Sequence, residues 1–300
     1  MKNHQAPPYD RRQFLRNSVV VGLGLPLFGC HSLTNTKATQ GPLFTLMGIN
    51  APLSQAAAVA AEGAEFLLVG VRNFLMPNKP DAEFEEQLRI LEKSPIPILS
   101  CNNFLKGDSL RSVGPEAKHE NVLNFATIAF RRAKRAGVER IIFGSSGSRR
   151  LPKGWSKAQA DEQFISLLKR MGELAEAEGI IVAVENLQQK ECNYLTRISE
   201  VGAILTEVNH PNIRMLADLY HGSVMQDPPR DFQQYAQLIE MVEIAEAAGR
   251  TVPGVNGQDF RPYFQALREG GYHGPIEIEG KWEIDQIAKA YATIRAQASG

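Results

Sequence analysis

Cysteine is scarce in this chain: Cys30, Cys101 and Cys192 are the three in 300 residues. That excludes a disulfide-dense scaffold and a cysteine-rich metal cluster. Histidine is scarce as well, six in all, with His4 and His31 before residue 32. Too few remain for a histidine-rich multi-zinc site. Charge of one sign is not in excess: 33 basic residues face 33 acidic ones and the formal net charge is zero. No basic field draws in nucleic acid, so no nucleic-acid partner is expected. The apolar run Ser18–Phe28 is too short to span a bilayer as a stable helix. No internal repeat or low-complexity tract is evident.

What is present at the start is an address. Asp10-Arg11-Arg12-Gln13-Phe14-Leu15-Arg16 has the form of a twin-arginine signal, and Ser18–Phe28 is its apolar core. Leu27-Phe28-Gly29-Cys30 looks like a lipobox, with Cys30 as the lipidated first mature residue. Phe28 is unusual there, so cleavage without lipidation stays open. Residues 31–40 are polar and read as a tether. The expected location is the periplasm or cell envelope, with membrane contact only through Cys30. Twin-arginine export carries folded proteins, which suits a chain that takes up a cofactor before export. In an oxidising compartment Cys101 and Cys192 are able to pair, although spacing alone does not decide it.

The chain divides into residues 1–40, signal and tether, and residues 41–300, one barrel-sized domain. Strand-like apolar runs are Leu43–Ile49, Phe66–Val71, Ile96–Ser100, Arg140–Phe143, Ile180–Val184, Ile213–Ala217 and Pro275–Glu279. Helical patterns separate them: Leu53–Glu62, Ala82–Glu92, Ala117–Ala136, Lys157–Glu178, Thr196–Val208, Phe260–Arg268 and Glu283–Ala296. Gly63, Gly137 and Gly179 stand where helices should end. This alternation argues a parallel sheet, and about eight units argue an α/β fold closed as a single (β/α)8 TIM barrel. One unit is ambiguous. Asp231–Gly249 reads most simply as one amphipathic helix, whereas a seventh strand has to be cut from its second half, Met241–Ala245.

Three strands run into polar side chains. Ile180–Val184 leads to Glu185-Asn186-Leu187, Ile213–Ala217 to Asp218-Leu219-Tyr220-His221, and Pro275 onward to Glu279. Strand C-termini converge at the mouth of such a barrel, where its chemistry is carried. Carboxylates meeting in a half-dry site repel unless a cation sits between them, which points to a divalent-metal site. Glu277, two residues before Glu279, is expected on the other side of its strand. Cys101-Asn102-Asn103-Phe104 ends the third strand and is expected to line the mouth. Trp155 and Trp282 either stack on a sugar face or pack the rim. His119, His210 and His273 read as loop residues.

Val184-Glu185-Asn186-Leu187, the stretch from Asn209 to His221, Gly249-Arg250-Thr251-Val252-Pro253-Gly254 and Gly271–Glu279 resemble, in order and spacing, the sugar phosphate isomerase/epimerase family of xylose-isomerase-like barrels. The resemblance covers most of residues 43–285. It implies four metal ligands from strands five to eight: Glu185, Asp218, Glu243 and Glu279. The family usually has a histidine where Glu243 stands, and the match places Glu243 on a strand. Four carboxylates suit Mn²⁺ or Mg²⁺ better than Zn²⁺. The resemblance further implies Glu185 and Glu279 as an acid/base pair moving a proton beside a carbonyl through an enediolate. Asp218 is expected as a ligand only. His221 and Arg250 match substrate-contacting residues, Asn103 joins them at the mouth, and Asn186 is expected to hold Glu185 in place. The implied partner is a free sugar or related polyol. A homo-oligomer is left open. Two other functions fit the same residues: a 3-keto-glycoside lyase or hydratase, and a non-catalytic carbohydrate-binding lipoprotein. A resemblance to endonuclease IV fails on histidine content.

The address makes a direct prediction. Replacing Arg11 and Arg12 by Lys should leave the protein in the cytoplasm, and Cys30→Ser should release it from membranes. Cell fractionation checks both, and normal envelope levels of the double-Lys protein would refute the twin-arginine reading.

Overall fold

Eight short runs, each rich in β-branched or aliphatic side chains, form the strands of the computed structural model, which describes residues 41–300. The twin-arginine signal, Cys30 and the tether lie outside the described residues. The strands are β1 Phe44–Asn50, β2 Phe66–Gly70, β3 Ile98–Asn102, β4 Arg140–Phe143, β5 Ile181–Glu185, β6 Ile213–Asp218, β7 Ile239–Ile244 and β8 Gly274–Ile278. Every strand pairs in parallel with its sequence neighbours, and β1 pairs with β8, so the sheet closes. The helices are α1 Ala56–Ala61, α2 Val71–Phe74, α3 Asp81–Leu91, α4 His119–Ala136, α5 Ser146–Arg149, α6 Lys157–Glu178, α7 Ile198–Val208, α8 Leu219–Val224, α9 Pro229–Tyr235, α10 Arg261–Glu269 and α11 Ile284–Ala298. This is a (β/α)8 TIM barrel.

The helix ends follow local chemistry. Gly137 and Gly179 close α4 and α6 in the left-handed conformation, where a glycine avoids the Cβ penalty. Ser156 and Gln159 form a reciprocal capping box at the start of α6. The ambiguous stretch resolves against a single helix. Its first part forms α9 and a 3₁₀ turn over Ala236–Leu238, and its second part is β7, seated between β6 and β8. The helical periodicity of the sequence gives way because closure needs a seventh strand to satisfy the edges of β6 and β8. The strand begins at Ile239, two residues before the expected Met241. His119 opens α4 and is not a loop residue.

The alternation of each strand sorts side chains into two cores. Leu67, Val69, Ile141, Phe143, Val182, Val184, Met215, Ala217, Val242 and Ile244 face the helices in the large outer core. Leu68, Ile142, Ala183, Leu216 and Met241 form a separate, fully buried cluster inside the barrel. Phe66 is buried as well, and its ring occupies the space that a Cβ on Gly48 would need. Two residues further along each strand comes the inward position at the mouth: Gly70, Gly144, Glu185, Asp218 and Glu243. The polar mouth therefore rests on a dry apolar floor.

Cys101 and Cys192 do not pair: both are buried free thiols, Cys101 on β3 and Cys192 in the β5–α7 connection, with its Sγ toward the Ser146 carbonyl. Trp155 and Trp282 pack against the core at the rim, and Trp282 donates its indole N–H to the Asn50 carbonyl at 3.1 Å.

Gly48→Ala should destabilise the barrel. Its Cβ would fall 2.2 Å from the buried Phe66 ring, and overpacking of a filled core costs about 1–3 kcal/mol. Urea unfolding measures this, with a midpoint equal to the wild type refuting the steric argument.

Candidate active site

The mouth is built by backbone periodicity. Glu185 ends β5, Asp218 ends β6, Glu243 lies in β7, and Glu279 follows β8 directly. Each points inward, and their carboxylate oxygens converge within 4.8 Å of one another. Glu277 does so too. It is fully buried and its Oε2 accepts from Ser100 Oγ at 2.6 Å. The expectation that it faces away from Glu279 is corrected by the strand period: residues two apart share a face, so Glu277 sits inside, below Glu279. Register places Glu277 opposite Glu243 on β7.

Burial and mutual repulsion dominate the electrostatics. Desolvation, reinforced by Glu279, Glu185 and Glu277, raises Glu243 well above the usual carboxylate range. Desolvation pushes Glu279 up to about 8, with Glu185 adding to the effect and Arg250 opposing it. Glu277 is pushed up to about 7 by burial, against the hydrogen bond it accepts from Ser100. Both oxygens of Glu243, one oxygen of Asp218 and Nε2 of His221 are buried without a hydrogen-bond partner. The unpaired carboxylate oxygens among these are costly to bury, and a cation between them removes the cost.

Asp218 is fixed by two roles at once. Its Oδ1 caps α8, accepting from the N–H groups of Tyr220 at 2.6 Å and His221 at 3.1 Å, while Oδ2 faces the site. Capping uses Oδ1 alone, so Oδ2 stays available for the ligand role expected of Asp218. Asn186 does not hold the Glu185 carboxylate. Its side chain donates to the Asp218 carbonyl at 3.1 Å and accepts the Asp218 N–H at 3.0 Å, tying the end of β6 to β5. Glu185 is held through its backbone, whose carbonyl accepts from the buried Arg149. Gly144 makes room for the Glu185 carboxylate, since a Cβ there would lie 2.0 Å from its Oε2.

His221 is fully buried. Its Nδ1 accepts the Gln188 N–H at 3.2 Å, so Nε2 faces Glu185 and Asp218, each at 3.4 Å. Burial alone would depress its pKa, but Asp218 and Glu185 raise it to about 9. Arg250 takes a left-handed backbone, donates to the Glu279 carboxylate, pairs with Glu191 at 3.3 Å and stacks on Tyr220 at 4.5 Å. Asn103 lines the cavity but its amide donates to Asn102 at 3.0 Å. Asn102, one residue earlier and inward-facing, donates to Glu279 at 2.7 Å, and Cys101 and Phe104 turn into the outer core. Asn102 was expected only as one of the residues lining the mouth, with Asn103 singled out, and Glu191 escaped the sequence reading. Strand alternation signals Asn102, two positions after Ser100, whereas nothing local marks Glu191. A cavity of about 640 Å³ opens over these groups.

Glu246 also went unnoticed. Its carboxylate accepts the backbone N–H groups of Gly254 at 2.9 Å, Asn256 at 2.5 Å and Gly257 at 3.0 Å, folding the 247–258 segment that carries Arg250. Burial works to raise its pKa, but the N–H donors prevail and hold it below the usual glutamate range.

A closed parallel barrel with inward carboxylates at the C-terminal ends of β5 to β8 defines a class of TIM-barrel protein with its site at the mouth. The comparisons narrow that class. The sequence profile of the xylose isomerase-like TIM barrel family matches residues 53–297, and the chain belongs to this family. A provisionally named hydroxypyruvate isomerase of Drosophila melanogaster is 30% identical over 160 residues, covering 52% of this chain and 58% of that protein. A ketose 3-epimerase of Arthrobacter globiformis is 32% identical over 111 residues, covering 37% of this chain and 38% of that one. The chain thus spans less than two thirds of the length of these curated relatives. The fold matches the apo 3-keto-D-glucoside 4-epimerase of E. coli with a TM-score of 0.70 at 18% identity, over 83% of this chain and 98% of that one. A protein solved with a bound zinc atom has the same fold, with a TM-score of 0.68 at 16% identity, over 85% of this chain and 98% of that one.

Glu246→Ala should loosen the loop, because the backbone N–H groups of Gly254, Asn256 and Gly257 lose their acceptor, at about 0.5–1.5 kcal/mol each. Limited proteolysis should then cut within residues 247–258. Because the folded pKa is depressed, this stabilisation is present above the unfolded glutamate value and is lost as pH falls through the folded one. Proteolysis of the wild type should rise over that acid range, and an unchanged cleavage pattern in the Ala variant would refute the role.

Proposed function

We propose that the protein is a metal-dependent isomerase or epimerase of a small carbohydrate, moving a proton at the carbon beside a carbonyl. The observation that carries this reading is the convergence of Glu185, Asp218, Glu243 and Glu279, with oxygens left unpaired toward one point. The residues fit a divalent cation, and an all-oxygen donor set favours Mn²⁺ or Mg²⁺. Glu185, Asp218, Glu243 and Glu279 would hold it. When bound, it supplies positive charge that polarises the substrate carbonyl and offsets the repulsion among the four acids. The isomerase and epimerase names of the relatives support the same reading.

Glu185 ends β5 and Glu279 follows β8, on separate sides of the mouth. One takes the proton from the carbon beside the carbonyl, leaving an enediolate, and the other returns a proton to the same or the adjacent carbon. Arg250, already oriented by Glu279, Glu191 and Tyr220, donates to the substrate's oxygens. His221 presents Nε2 to the same space, held by the Gln188 N–H. Asn102 and Arg250 grip Glu279 from two sides and set its approach to the carbon. Export through the twin-arginine route remains part of the reading and places this chemistry outside the cytoplasm.

Glu185→Gln and Glu279→Gln should each abolish incorporation of deuterium from D₂O into a ketose, since an amide does not shuttle the proton. Glu243→Ala should weaken Mn²⁺ binding measured by titration. Exchange at the wild-type rate in either Gln variant would overturn the acid/base pair. Release of an aglycone from a 3-keto-glycoside, without sugar isomerisation, would move the assignment to a lyase.

A further inference from the structure

The cavity at the mouth has two poles. Glu185, Glu191 and Glu279 line one side together with His221 and Arg250. In an eight-stranded closed order, β2, β3 and β4 lie across the axis from β6, β7 and β8. The connections after those three strands bring Arg72, Asn73, Asn103, Lys106, Ser146 and Gly147 to the opposite wall. That arc contains no carboxylate. Arg250 is held by Glu191 and Glu279, whereas among the described residues Arg72 and Lys106 have no carboxylate within ion-pair distance. Both are exposed, and both line the cavity as well as a second hollow of about 410 Å³. The second hollow adds Asn78, Asn121, Asn124 and Phe125.

We infer that this arc binds a negatively charged group at the far end of the substrate, so that the carbohydrate carries a terminal carboxylate or phosphate. The inference rests on the proposed enolising site and names its substrate class. Two uncompensated cations facing one cavity repel each other, and an anion between them turns that repulsion into attraction. A guanidinium matches the fork of a carboxylate or phosphate, and an ammonium adds a point charge beside it. The side-chain amides and hydroxyl of Asn73, Asn103 and Ser146 complete a polar shell. A neutral sugar would use that shell but leave both charges unanswered. The separation of poles also sets orientation: the carbonyl end goes to the carboxylates, and the anionic end is repelled from them. The outer hollow leaves room for a phosphate as well as a carboxylate.

The test uses the full-length, Mn²⁺-loaded protein and three ketoses that differ only at the terminal carbon: D-fructose, D-fructuronate and D-fructose 6-phosphate. Calorimetric titration should show at least one anionic probe binding about tenfold tighter than D-fructose, with the gap shrinking as salt rises. The fructuronate and phosphate arms show which anion is taken. In the Arg72→Gln/Lys106→Gln double variant the gap should close. Equal affinity for all three probes, no binding of any probe, or a preference that survives in the double variant would each overturn the anionic pole. Deuterium exchange on the same samples reads the enolising reaction separately. Exchange with D-fructose as fast as with the anions would sink the pole and leave the isomerase reading standing. Selective anion binding without exchange would do the reverse.

Discussion

The mouth of this barrel is governed by the repulsion of carboxylates that closure of the sheet forces together. Glu185, Asp218, Glu243 and Glu279 meet over an apolar floor of Ala183, Leu216 and Met241, where water screens them far less than at an open surface. In that setting the acids either keep protons, as the raised pKa values of Glu243 and Glu279 indicate, or share a cation. Glu277 adds a fifth acid one step below, relieved by Ser100. No merely structural core gains from such an arrangement, since well-packed apolar side chains of similar volume would be at least as stable.

The surrounding structure offsets that strain. Asp218 is anchored through its capping of α8, so its backbone and one oxygen are fixed while the other stays available. Asn186 ties β5 to β6 at the same level. Arg250 brings the one positive side chain that reaches the acids from the β7–α10 loop, and Glu246 folds that loop through backbone N–H donors. On the other half of the barrel the inward positions are small or amide: Gly70, Asn102 and Gly144. A Cβ at position 144 would strike Glu185, so that glycine is a matter of space. Acids on one half and small residues on the other leave a cavity with chemistry along one wall and room along the other.

Much of this was legible along the chain. Alternating strand and helix patterns announced a barrel, and three strands ending in Glu185, Asp218 and Glu279 announced the mouth. Period-two alternation, applied consistently, also put Glu277 inside and singled out Asn102 over Asn103. For Glu277 that same alternation overturns the expectation of a carboxylate on the other face. Other features were out of reach. The run Asp231–Gly249 carries a helical period, and β7 forms there because β6 and β8 need a partner. Cys101 and Cys192 carry no information on distance, and the fold buries them apart as free thiols. Glu191 and Glu246 look like ordinary loop acids until the fold shows which donors surround them.

The sequence by itself determined the class of fold, the strand positions of the acids and the family, because hydrophobic periodicity and residue spacing are properties of neighbouring positions. Which oxygens meet, which remain unpaired and which cations stand opposite were decided only by the tertiary structure. Those relations join residues dozens to hundreds of positions apart, and closure of the barrel is what brings them within reach of one another.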